Sequence, residues 1–106
     1  MVSEIQKETM NQINWQILAR RGFRFVGMDD NTVRLNLNHK NLDITYNVGS
    51  DLYDVEKHTM NKDLTKIKSE KINGLYFDQL PETIDAFFNL KGFVQDVKGI
   101  MSFAKA

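Results

Sequence analysis

Cysteine is absent from this 106-residue chain, and proline occurs once. The first absence excludes a disulfide framework and thiolate metal sites, and it suits a reducing compartment. The second, with 42% hydrophobic and 26% charged residues, separates the chain from Pro-rich disordered sequences and points to a globular fold. Long apolar runs are also missing, so no segment has the length needed to span a bilayer. The opening "MVSEIQKETM" carries two acids and no apolar stretch, unlike a secretory signal. A single domain over residues 1–106, cytoplasmic and without membrane contact, is the expectation.

Net charge is lacking too: fourteen basic residues balance fourteen acidic ones. No general attraction to nucleic acid or to an anionic membrane follows. The charges are unevenly placed, however. Residues 20 to 40 hold Arg20, Arg21, Arg24, Arg34 and Lys40 against Asp29 and Asp30. Residues 57 to 71 hold five lysines against Asp63 and Glu70, and between the two segments Asp43, Asp51, Asp54 and Glu56 stand without a cation.

Helical periodicity comes first. Ser3 with Gln6 three residues on reads as a capping box, and Ile5, Met10, Ile13, Ile17 and Leu18 form an apolar stripe ending near Arg21. Gly22 then occupies the position that favours a left-handed stop. Trp15 falls off the centre of the stripe, where it either covers the core edge or meets a partner.

The period then changes to two. "TVRLNLN" offers Val33, Leu35 and Leu37 on one face, and "NLDITYNV" offers Leu42, Ile44, Tyr46 and Val48. Across the polar bend "NHKN", pairing Leu37 with Leu42 aligns Leu35 with Ile44 and Val33 with Tyr46. In "VGSDLYDV" a two-residue Gly49-Ser50 turn of type II′ sets Tyr46 against Tyr53, Ile44 against Val55, Thr45 against Asp54 and Asp43 against Glu56. A three-residue loop would bury Asp54 and Glu56, so the two-residue register is expected. Arg34, diagonal to Asp43, could offset the like-charge pair.

"FRFVGMDDN" forms the preceding strand. Simple pairing puts Met28 opposite Val33 and Val26 opposite Leu35, with Phe23 and Phe25 outside; a bulge at Gly27 would turn both rings inward. If the rings stay outside, "RRGFRF" becomes a stacking surface for bases. "LTKIKSEKI" (64–72) reads as a lysine-rich edge strand. Helical spacing returns with Leu80, Ile84, Phe87 and Phe88 after Pro81, and Gly92 interrupts it. Phe93, Val97, Ile100, Met101 and Ala104 continue an apolar face as a third helix or a bent extension.

Together these elements predict an α+β fold: an N-terminal helix, a four- or five-stranded antiparallel meander, and one or two C-terminal helices packed on one sheet face. No catalytic, metal or cofactor site is expected. His39 and His58 have no second histidine at ligand spacing, and "GSDLYD" lacks the further glycines and the lysine of a phosphate loop.

The stretches "DLYDV" (51–55) and "YFDQL" (76–80) resemble a group of small hypothetical proteins of phages, prophages and related mobile elements, over roughly residues 42 to 88. The resemblance implies a viral or mobile-element accessory protein. The expected function is therefore non-enzymatic binding of another protein, such as a host factor, with a homodimer as a further expectation. The alternative is nucleic-acid binding by the basic and aromatic strip at residues 20–25. The candidate contact residues are Trp15, Arg20, Arg21, Phe23, Arg24, Phe25 and Lys40.

Overall fold

The computed structural model describes residues 3–60, 67–90, 92–94 and 97. Helix α1 (Glu4–Gln12) begins as expected: the Ser3 hydroxyl accepts from the Gln6 amide and the Gln6 side chain accepts from the Ser3 amide, both at 3.0 Å. It does not run on to Arg21. Asn14 adopts the left-handed conformation (φ 57°) and a separate helix α2 (Trp15–Arg20) follows. Asparagine tolerates that conformation better than most residues. Ile13 and Leu18 lie about 140° apart on a continuous helix, so the break is what lets both become fully buried. Gly22 (φ 92°) closes α2. Its amide bonds Ala19 O at 3.1 Å and the Phe23 amide bonds Leu18 O at 3.2 Å, a Schellman pattern that sets Phe23 beside Leu18 in the core.

Five strands follow, β1 (Arg24–Asp29), β2 (Thr32–Leu37), β3 (Lys40–Asn47), β4 (Leu52–Met60) and β5 (Ile67–Leu75), in the antiparallel order β1-β2-β3-β4-β5. The β3–β4 register is the expected one, from Asp43–Glu56 to Tyr46–Tyr53. The turn is not type II′ at Gly49. Residues 48 to 51 form a four-residue loop in which Asp51 takes the positive φ (58°) and its amide bonds Asn47 O at 2.9 Å. The Asn47 side chain accepts from the Gly49 and Ser50 amides at 3.1 and 3.3 Å. One more residue on each side of the turn leaves every pair beyond it unchanged.

The β2–β3 pairing differs by two residues from the expectation: Leu35 faces Leu42, Val33 faces Ile44 and Leu37 faces Lys40. Asn38 (φ 57°) makes the bend only two residues long, which lengthens the ladder. A two-residue shift keeps the apolar side chains on one face. It also brings Arg34 directly opposite Asp43.

The register shift between Gly27 and Asp29 sets Phe25 against Leu35 and Gly27 against Val33. Both rings turn inward, Phe23 into the core and Phe25 against its edge, while Val26 and Met28 are left exposed. A side chain at Gly27 would displace the Gln6 side chain. A Cβ would lie 2.8 Å from the Gln6 amide nitrogen, which donates to the carbonyls of Asp29 and Thr32. Gly27→Ala should therefore destabilise by about 1–3 kcal/mol, the usual range for overpacking, and by far less when Gln6 is also alanine. Urea denaturation of the four-member cycle checks this; equal costs in both backgrounds would refute the steric account.

At the other edge, β5 continues to Leu75, three residues past Ile72, through a bulge in which Gly74 (φ 76°) donates to the Asp54 carboxylate at 3.0 Å. Its expected start at Leu64 falls outside the described residues. A 3-10 turn (Phe77–Gln79) leads into α3 (Leu80–Phe88), which ends at left-handed Asn89. Helices and sheet meet over Val33, Leu35, Leu42, Ile44, Val55, Leu80 and Ile84. Phe93 and Val97 dock on the same core. Ile100, Met101 and Ala104 lie outside the described residues.

Candidate partner-binding groove

The strip at residues 20–25 is divided by the fold. Phe23 is buried with its ring edge-on to Phe88 at 4.8 Å. Arg21 places its guanidinium 6.0 Å from the Phe93 ring centre. Phe25 is half-buried and meets Trp15 edge-on at 6.5 Å, so Trp15, 36% exposed, covers the core margin. Lys40 lies apart from these, its ammonium donating to Phe87 O at 2.9 Å and sitting 5.3 Å above that ring. Arg20 and Arg24 are exposed.

The outer sheet face is polar and paired within itself. Arg34 grips Asp43 through two bonds of 2.6 and 2.9 Å, which raises the already high pKa of its guanidinium. His58 Nε2 stands 3.5 Å from Asp43 and 3.7 Å from Glu56, and its Nδ1 meets the Ser69 hydroxyl at 2.9 Å. Thr32 pairs with Thr45 and Asn36 with Asn41 across the strands at 2.8 and 2.7 Å. Among the described residues no group of three histidines or carboxylates is placed to hold a metal.

A different surface is open. The 3-10 turn before α3 leaves Tyr76 and Phe77 63% and 52% exposed, because Leu80 and Pro81, not these rings, carry the segment's burial. Phe77 stands between two cavities. The first, about 320 Å³, lies between α1 and the β3–β4 loop and is lined by Glu8, Tyr46, Asp51 and Tyr53. The second, about 380 Å³, continues past Gln12 to Asp78, Pro81, Glu82 and Val97. No described residue lining either cavity is basic.

Inside the first cavity the Tyr46 and Tyr53 rings are 5.3 Å apart and tilted by 55°. The Tyr46 hydroxyl donates to Asp51 Oδ1, a bond that raises the phenol's pKa. Burial raises that of Tyr53, with a hydrogen bond to Thr9 pulling the other way. The charge pattern singled out the arginines, and Tyr76 and Phe77 were not among the candidates. The signal for them was two adjacent rings lying outside both the strand alternation and the helical stripe that begins at Leu80.

Among the described residues no helix is long and apolar enough to cross a membrane. No protein-family model matches the chain, and neither a curated protein nor a solved structure matches it.

Proposed function

We propose that the chain is a non-enzymatic accessory protein of phage or mobile-element type, acting in the cytoplasm by binding another protein, a host factor, through the groove on either side of Phe77. The observation that carries this reading is the exposure of Phe77 between the two cavities it lines, with the exposed Tyr76 next to it in the chain. Exposed rings beside pockets are what protein interfaces use as anchors. Among the described residues the outer sheet face exposes Val26 and Met28 on β1 and Ile67 on β5, but no aromatic ring to serve as such an anchor. Burial of Phe23 and the packing of Phe25 on Trp15 favour protein over nucleic acid, since base stacking needs open ring faces.

Capture from a bacterial lysate by the tagged chain, with and without nuclease, tests it. A protein retained after nuclease treatment and lost with Phe77→Ala is the expected result. Capture abolished by nuclease, or indifferent to Phe77, would overturn the proposal.

A further inference from the structure

We propose that the cavity bounded by Tyr46, Tyr53 and Phe77 receives a cationic side chain, an arginine or lysine of the bound protein, with Glu8 and Asp51 as its counter-charges. The inference rests on the protein-binding reading and names the chemistry of the segment bound.

Size supports it first. At about 320 Å³ the cavity is at the small end for a ligand site and suits one long side chain. Its lining supports it next. Three aromatic rings offer the negative faces that attract ammonium and guanidinium groups, and an exposed Phe77 can close over an incoming chain.

The two carboxylates are already oriented. Asp51 has Oδ1 bound by the Tyr46 hydroxyl, and Glu8 has Oε1 bound by the Gln12 amide at 3.1 Å. Among the described residues neither second oxygen has a partner, which leaves each for a further donor, the arrangement that favours charge-assisted bonds. Both acids also raise the pKa values of Tyr46 and Tyr53, as a negative field in the cavity requires.

The groove extends this pattern. Past Phe77 it meets Asp78 and Glu82, so a bound segment would encounter carboxylates along its length and no described base. An acidic peptide or a nucleic-acid backbone would be repelled. The exposed Arg20 and Arg24 stand on α2 and β1, which contribute nothing to the cavity's described lining, so a second copy would have to bring a different face to it. A separate partner with a basic segment is the simpler occupant.

The test pans a random heptapeptide phage library on the full chain and measures enriched peptides by fluorescence anisotropy. Glu8→Gln with Asp51→Asn removes both charges and keeps the shapes, and asparagine tolerates the left-handed backbone at residue 51. Enriched peptides should carry arginine or lysine, and their affinity should fall about tenfold in the double variant. Replacing the peptide arginine by citrulline should cost as much against the wild type and little against the double variant. With the wild type alone, the arginine peptide should weaken as salt rises and the citrulline peptide should not.

Peptides that need Phe77 but carry no basic residue would overturn the cation assignment and leave the protein-binding reading standing. So would an equal citrulline cost in both backgrounds. Indifference to Phe77 as well would overturn both. Self-association of the free chain in light scattering that is lost in the Glu8→Gln/Asp51→Asn variant would give the seat to a second copy and overturn the assignment to a separate partner.

Discussion

Phe93→Ala is expected to lower the free energy of unfolding by about 3–5 kcal/mol, the range for removing a buried ring. That is a large share of the roughly 5–15 kcal/mol that holds a small domain together. Phe93 has no exposed surface, although it follows α3 and lies close to the end of the described chain. Gly92, at φ 79°, turns the backbone so that the ring points back into the core, and the Phe93 amide bonds Leu90 O at 3.3 Å. Arg21 lies over the same ring. The substitution would thus open a cavity and leave a guanidinium without its aromatic face, and α2 and the C-terminal segment should loosen together. Urea denaturation gives the magnitude. A loss below about 1 kcal/mol, the typical cost of an ordinary substitution, would mean that the segment contributes little to the folded core.

Where the sequence was legible, two independent constraints coincided on the same residues. The capping box was readable because Ser3 and Gln6 must satisfy each other's backbone. The β3–β4 register was readable because only one parity keeps Asp54 and Glu56 out of the core. The β2–β3 register had no such second constraint. A shift of two residues leaves every side chain on its face, so the choice fell to Asn38 and its left-handed turn, which hydrophobic alternation does not encode.

The broken first helix shows the same limit. Its stripe accommodates Ile13 or Leu18 at the centre, and burying both requires the kink at Asn14. The strip "RRGFRF" carried two incompatible messages, charge for a surface and rings for a core. The fold separates them by sending Phe23 inward and Arg24 outward. The groove was harder to see. Its members, from Glu8 to Phe77, come from three distant segments, and their proximity is a product of the meander bringing the β3–β4 loop beneath α1.

The two faces of the sheet should differ sharply in their sensitivity to substitution, and one cross-strand neighbourhood provides the comparison. Ile44→Ala should cost about 2–5 kcal/mol. Ile44 is fully buried on the middle strand of five, between Val33 and Val55. Strands hydrogen-bonded on both sides cannot move in to fill the void, so the upper half of that range is expected. Glu56→Gln, one pair away on the outer face, should change stability by no more than about 0.5 kcal/mol. Glu56 stands opposite Asp43, which already has Arg34, so neutralising it removes a like-charge repulsion along with its 3.7 Å approach to His58. Equilibrium unfolding of the two variants under one set of conditions decides the matter. If Glu56→Gln cost as much as Ile44→Ala, the outer face would be part of the stabilising structure, and the assignment of the core to one face of the sheet would fail.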